Sequence, residues 1–174
     1  MSDFNELMQQ NCFADSPETR RAAAEQLEHD YSCEVHCNDM DHSVQFAHHG
    51  HGCIIAAAKL SAGVVIYQNV TIGSNMKFNL RSNQWEQVGD PVIGKKVVIA
   101  DGAKVLGPII VGDGALIAAG AIITRDVPAH MLAYGVNQIR PLPDDYDLVY
   151  HMPMPSHAEI ESASKALIKR YEDA

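Results

Sequence analysis

Residues 91–128 read PVIGKKVVIADGAKVLGPIIVGDGALIAAGAIITRDVP, and within them a large aliphatic residue recurs at every sixth position. A period of six fits neither one face of an α-helix nor the simple alternation of a β-strand. It is typical of a parallel β-helix built from hexapeptides. The series comprises Ile93, Ile99, Val105, Val111, Ile117 and Ile123, and an upstream run with the same step comprises Ile54, Leu60, Ile66 and Ile72.

Each hexapeptide supplies one short strand and one corner. If three of them make one triangular turn, residues three hexapeptides apart stack at a strand spacing of about 4.8 Å. The aliphatic residues then form a ladder along the axis of a prism. The pairs Asp101-Gly102 and Asp113-Gly114 suit tight corners. The alternative, a β-sandwich with coincidental spacing, would instead show strands that alternate with period two.

The chain divides into three predicted parts. Residues 1–30 form a helical N-terminal segment, for which Ser16 and Pro17 supply a start signal. Residues 31–140 form the β-helix, from which a loop at 74–91, without hexad phase, leaves a corner. Residues 141–174 form an extended tail and a helix that begins with a capping box. The members of that box are Ser156 and Glu159, and one face of the helix carries Ile160, Ala163, Leu167 and Tyr171.

Composition narrows the class of protein. The net charge of −9 and the pI near 5.3 argue against a general binder of nucleic acids or of anionic membranes. No apolar stretch is long enough to span a bilayer, and the N-terminus lacks the pattern of a signal peptide. The four cysteines follow no dense disulfide pattern. We therefore expect a cytoplasmic protein with free thiols.

Four segments carry a family resemblance. They are IYQNVTIG at 66–73, Gly-Asp at 89–90, VLGPIIVG at 105–112 and GAIITRDVP at 120–128. Over roughly residues 33–140 the chain resembles the hexapeptide acyltransferases, and within them most the serine acetyltransferases. The resemblance implies a left-handed parallel β-helix, a homotrimer, and acetyl-CoA bound in the groove between neighbouring prisms.

Acetyl transfer from a thioester needs a base that takes the proton of the acceptor, and a histidine suits that task. A carboxylate on the far ring nitrogen would hold the tautomer. By resemblance, Glu34-Val35-His36 matches the family's Asp-Ile-His, which makes Glu34 the carboxylate and His49 the catalytic histidine. If the match to the family pattern is anchored instead at Val70, the catalytic histidine is His48. The alternative is that this histidine-rich cluster is a solvated polar corner.

The resemblance also implies which residues contact the cofactor. Positions that match family contacts to the pantetheine arm are Gly73, Asp101 and Ala119. Arg125 and Arg140, near the C-terminal coil, are candidates for the nucleotide phosphates. For both arginines the alternative is an ordinary solvated surface. On the predicted loop, Phe78 and Trp85 either close over the acceptor or pack against a neighbouring subunit.

The sequence departs from the serine enzymes in four places. His48 stands where the family has an aspartate, and Gly89-Asp90 runs straight into Pro91 without the family's arginine and histidine. The large helical domain is reduced to about thirty residues, and Asn137 replaces the proline of Gly-Val-Pro. Since the missing groups would clamp an amino acid, the acceptor stays open between a hydroxyl and an amine.

Two other function classes compete. The first is a zinc lyase resembling the γ-class carbonic anhydrases, which share the prism. The second is a non-catalytic trimeric scaffold. Cys33, His36 and Cys37 have metal-ligand chemistry at tight spacing, but no second cluster completes a familiar zinc pattern and His130 is isolated. We therefore expect acetyl-CoA as co-substrate and no metal.

Overall fold

The structure, a computed structural model, describes residues 3–74, 76–144 and 155–173. Three sheets form the sides of a prism, and the chain visits them in turn. The first face contains β1 (Glu34–Cys37), β3 (Ile54–Ala57), β6 (Thr71–Gly73), β11 (Lys104–Leu106) and β14 (Ile122–Ile123). The second face contains β4 (Lys59–Leu60), β9 (Val92–Ile93) and β12 (Ile110–Val111). The third contains β2 (Gln45–Phe46), β5 (Val65–Ile66), β10 (Val98–Ile99), β13 (Leu116–Ile117), β15 (Met131–Tyr134) and β16 (Gln138–Pro141).

Stacking is parallel along the faces, with β16 as an antiparallel end strand on the third. Ile99 pairs with Ile117, and Val105 pairs with Ile123, so residues one full coil apart lie directly over each other. The ladder residues from Leu60 onward are fully buried. A mainly β chain with hexapeptide repeats and short helices near both ends is therefore confirmed.

One position of the predicted ladder is wrong. Ile54 was expected inside, but its side chain is 50% exposed, and the neighbouring Ile55 is fully buried in its place. The inward step from Ile55 to Leu60 is five residues rather than six. Ala58, four residues after Ile54, is only half-buried. The coil is one residue short at this corner, so the inward position before Leu60 is Ile55 and not Ile54.

Two helices cover the first coil. Helix α1 (Phe4–Phe13) is capped by the Asp3 carboxylate, and α2 (Pro17–Tyr31) is capped by Ser16 with Pro17 at its first position. Their inward side chains belong to the same buried cluster as the prism core. The members from the helices are Phe4, Leu7, Met8, Ala23, Leu27 and Tyr31.

The segment predicted as a loop contains an antiparallel hairpin, β7 (Met76–Asn79) and β8 (Gln84–Gln87). Helix α3 (His157–Glu172) starts with the predicted capping box of Ser156 and Glu159. Every side chain of α3 is exposed, including the expected apolar face. Most of the predicted extended tail, 145–154, lies outside the described residues. Among the helices of the described ranges, none has the length and apolar character needed to cross a bilayer.

At Gly112 two neighbouring coils approach so closely that there is no room for a side chain. A Cβ atom there would clash with the backbone nitrogen of Ala129 and lie 2.8 Å from its Cα. Because neighbouring backbone cannot yield as a flexible side chain can, Gly112→Ala should cost about 1–3 kcal/mol of unfolding free energy. Chemical denaturation measures this loss of unfolding free energy. Gly73→Ala, whose nearest contact is a side-chain atom at 3.9 Å, is the control, and equal losses for both would contradict the close stacking.

Candidate functional site

A groove of about 360 Å³ runs along the edge where the third face turns into the first. Each coil contributes one corner to it, so its wall is a column of equivalent positions. The wall is mostly apolar, which suits a ligand that leaves water. Its residues are His48, Tyr67, Gln68, Val98, Ala100, Asp101, Leu116, Ala118 and Ala119.

The repeat explains why these residues meet. Gln68, Asp101 and Ala119 each lie two positions after an inward ladder residue, so they occupy the same corner on successive coils. The predicted cofactor residues Asp101 and Ala119 therefore share one wall. Sequence reasoning did not find Tyr67 and Gln68, although the same hexad phase would have indicated both.

The side chain of Asp101 is held in place. Its Oδ1 accepts a hydrogen bond of 3.1 Å from the Asn69 amide. The Lys104 ammonium donates to the Asn69 carbonyl at 3.1 Å and to the Thr71 hydroxyl at 3.0 Å. These hydrogen bonds connect two neighbouring coils at the edge of the groove. They also hold the polar side chains in place beside the apolar part of the wall.

His48 and His49 lie in the histidine corner (Ala47–Gly50). Both adopt left-handed backbone, with φ of 51° and 54°. Such a conformation costs a non-glycine residue about 1 kcal/mol or more, so the surrounding packing must impose it. Gly50 shows that packing, because a Cβ there would lie 3.0 Å from Cys33 Sγ and 3.2 Å from the Phe4 ring.

The two imidazoles occupy different surroundings. The His48 ring lines the groove, 6.3 Å from the Tyr67 ring. The His49 ring lies against the N-terminal helices, with centroids 5.7 Å from Phe4 and 5.8 Å from Tyr31. Both histidines remain exposed. His48 thus shares a cavity with Asp101, whereas His49 is oriented by two aromatic rings.

The shortened corner affects how the two histidines are matched to the family pattern. The missing residue lies between Ile55 and Leu60, after the histidines and before Val70. Counting back from Val70 without that gap selects His48. Counting on from Glu34 selects His49. The step across the histidine corner, from Phe46 to Ile55, is nine residues instead of six, so the coil spacing favours neither match and both stay predictions.

Glu34 begins β1 and is half-buried. Its backbone nitrogen donates to the Cys53 carbonyl at 2.9 Å, which stacks it on the coil that follows the histidine corner. Within the described residues its carboxylate makes no hydrogen bond or ion pair. The predicted pairing of Glu34 with a catalytic imidazole stays a prediction.

The remaining predicted cofactor residues lie away from the groove wall. Gly73 ends β6, where the chain departs toward the hairpin, and its carbonyl accepts from Gly107 N at 2.8 Å. Arg125 donates to the Asn137 carbonyl. The Arg140 guanidinium lies 5.4 Å over the Tyr134 ring. Both arginines thus contact neighbouring residues, and their contact with nucleotide phosphates stays a prediction.

The candidate metal ligands do not converge. Cys33 is fully buried, and burial raises the pKa of its thiol to about 12. His36 is exposed on the outer side of β1, and Cys37 is half-buried. Across the part of the chain that is described, no group of three or more His, Cys, Asp or Glu side chains is arranged to hold a metal ion.

The hairpin presents an aromatic pair. Phe78 and Trp85 face each other across the two strands, with ring centroids 5.3 Å apart in an edge-to-face arrangement. They are 38% and 64% exposed, respectively. This surface is available either to a bound acceptor or to a second copy of the chain.

Comparison with known proteins agrees with this geometry. Residues 90–125 match the family described as bacterial transferase hexapeptide (six repeats). This part of the chain therefore shares its six-residue repeat with that family. A putative serine acetyltransferase of Schizosaccharomyces pombe is 38% identical over 101 residues, which is 56% of this chain and 35% of that protein. The serine acetyltransferase of Helicobacter pylori is 37% identical over 91 residues, covering 52% of this chain and 49% of that one.

Solved structures extend the likeness. A serine acetyltransferase in complex with cysteine superposes with a TM-score of 0.61 at 26% identity, over 79% of this chain and 53% of that one. The resemblance to the serine acetyltransferases is confirmed. The matches to the two curated relatives span only about half or less of those proteins' length.

Proposed function

We propose that this protein transfers an acetyl group from acetyl-CoA to a small hydroxyl or amine acceptor. One observation carries the proposal: Asp101, Ala119 and His48, on three different coils, line a single groove along the prism edge. The small corner residues allow a pantetheine arm to approach the backbone, and the apolar wall suits its thioester end. The names of the curated relatives support the same reaction class.

In the proposed mechanism His49 is the general base. It takes the proton of the acceptor as the acceptor's oxygen or nitrogen attacks the thioester carbonyl. The new bond to the acetyl carbon forms while the carbon–sulfur bond breaks, and the proton passes from the imidazole to the departing CoA thiolate. Glu34 would hold the tautomer and steady the imidazolium. His48 would line the groove beside the thioester.

Serine is the acceptor that the relatives' names suggest. However, Gly89-Asp90 is followed directly by Pro91, so this chain lacks the basic pair that holds an amino acid in the resembling enzymes. We therefore propose a wider class of acceptors, either O- or N-nucleophiles. Gly73, Arg125 and Arg140 remain proposed cofactor contacts, with the two arginines near the nucleotide phosphates.

The resemblance also supports two finer proposals about architecture. The prism would wind left-handed, and three copies would assemble so that a neighbouring prism supplies the second wall of each groove. The domain limits proposed from the sequence, 1–30, 31–140 and 141–174, are kept. A cytoplasmic location stays a prediction.

The competing functions make different predictions. The zinc lyase is not favoured, because the relatives are named as acetyltransferases and the described histidines and cysteines form no ligand group. The scaffold would bind no thioester. Calorimetric titration with acetyl-CoA, followed by an assay of free CoA release over a panel of hydroxyl and amine acceptors, tests the proposal. No measurable affinity and no acceptor-dependent release would refute it.

A larger side chain in the groove should block the binding of acetyl-CoA. Ala119→Leu places a larger side chain on the groove wall, so the affinity for acetyl-CoA should fall at least about tenfold, which corresponds to about 1.4 kcal/mol. Ala62→Leu is the matched control, because Ala62 takes the equivalent place, two positions after the inward Leu60, on another edge of the prism. Calorimetry measures both. Equal affinities for the two variants would show that acetyl-CoA does not bind along this edge.

A further inference from the structure

A second cavity, of about 480 Å³, lies between the N-terminal helices and β1. It is separate from the groove, since the two walls have no residue in common. None of its ten wall residues is acidic, although the chain carries a net charge of −9. The wall consists of Asn11, Cys12, Pro17, Arg20, Arg21, Ala24, Val35, His36, Cys37 and Asn38.

The positive charge of this cavity comes from two arginines on its helical side, and the strand side adds an imidazole. Arg20 and Arg21 project from α2, and His36 projects from the outer side of β1. Arg20 Nε donates to the Ala14 carbonyl, which orients the guanidinium and leaves its terminal nitrogens as donors. Guanidinium groups match the geometry of carboxylates and phosphates.

Competing partners for these cations are weak. The nearest carboxylate oxygen to Arg21 belongs to Glu25, at 3.9 Å, and both side chains are more than 70% exposed. An exposed ion pair at that distance contributes little. A bound anion would therefore displace almost nothing from Arg21.

The cavity floor is neutral and anchored. Asn11 Nδ2 donates to the Val35 carbonyl at 3.0 Å, which fixes α1 on β1. Burial raises the pKa of the Cys12 thiol to about 11, and it also raises the pKa of Cys37. Both groups are consequently uncharged thiols near pH 7, so the floor does not repel an anion.

We propose that this cavity is a binding site for a compact oxyanion with at least two negative charges, of the phosphate or polycarboxylate class. The anion would bridge α2 and β1 and so stabilise the docking of the helices on the prism. The site does not depend on acetyl transfer, and its tests do not use activity.

Thermal unfolding of the full chain tests binding. Inorganic phosphate and citrate are compared, in separate arms, with sodium chloride at the same ionic strength. When the anion is about tenfold above its Kd, the Tm should rise by roughly 2–6 °C, because only the folded state has the cavity. The two arms distinguish phosphate from carboxylate preference. A rise that chloride reproduces would mean simple screening and would overturn the proposal.

Arginine variants give the matched comparison. Arg21→Gln, which removes only an exposed pair, should abolish most of the anion-induced Tm rise, and Arg20→Gln should do the same. Arg170→Gln, the same change of charge on the exposed face of α3, should keep the full rise. If Arg20→Gln fails to fold, Arg21→Gln decides the matter. An unchanged rise in Arg21→Gln would overturn the assignment.

Two cysteines of the wall report the location. Phosphate should slow the alkylation of Cys12 and Cys37 by iodoacetamide at least about threefold, as followed by mass spectrometry of the peptides. Protection of these half-buried thiols in the parent chain but not in Arg21→Gln would place the anion between the helices and β1. Equal rates with phosphate and with chloride would sink the assignment of this cavity.

Discussion

Replacing His49 with alanine should lower the turnover of acetyl transfer by about 10²–10⁴-fold, the range expected when a general base is lost. His49 is exposed, and its ring lies beside the rings of Phe4 and Tyr31. The affinity for acetyl-CoA should change little, because this ring is not part of the groove wall. Steady-state rates with the best acceptor, together with calorimetry, measure the two effects separately.

His48→Ala is the matched control, since it removes the same ring from the adjacent position. Because the His48 ring lines the groove, its loss should act mainly on acetyl-CoA binding, with a modest loss of turnover. Thermal unfolding of both variants checks that the histidine corner is intact. If His48→Ala loses turnover as severely as expected for His49 while His49→Ala stays active, the base is His48.

The fold was predictable because one physical requirement repeats. Each coil must place a branched aliphatic side chain in a narrow column, so the period of six appears directly in the residues, as at Ile99 and Ile117. The prediction failed at Ile54, where the corner before Leu60 is one residue shorter. A shortened corner changes no residue type, so the hexapeptide period alone does not indicate it.

The site was only partly predictable. Asp101 and Ala119 line the same groove because they share a hexad phase, and their contact with a cofactor stays a prediction. The separation of the two imidazoles depends on left-handed backbone at both positions and on Phe4, which is more than forty residues away in the chain. Such a contact requires the docking of α1, and no local pattern encodes it. The hairpin at β7 and β8 lacked hexad phase and was therefore predicted only as a loop.

The stacked core also determines how much unfolding free energy is lost when one inward side chain is truncated. Ile117 is fully buried and lies in register between Ile99 and Ala133 of the adjacent coils. Neighbouring coils hold the strand spacing through backbone hydrogen bonds, as from Val98 N to the Ala115 carbonyl at 3.1 Å. The prism therefore cannot collapse around a truncated side chain, and the cavity remains.

Ile117→Ala should accordingly destabilise the fold by about 2–5 kcal/mol. For a chain of this size, that lowers the Tm by roughly 4–20 °C. Ile110→Ala, whose side chain is 56% exposed on the second face, should cost less than about 0.5 kcal/mol in the isolated chain. Urea denaturation, with sedimentation to establish the oligomeric state, measures both. Equal costs in a monomer would contradict the buried column, whereas a large cost for Ile110 only in an oligomer would mean that a neighbouring copy covers this face.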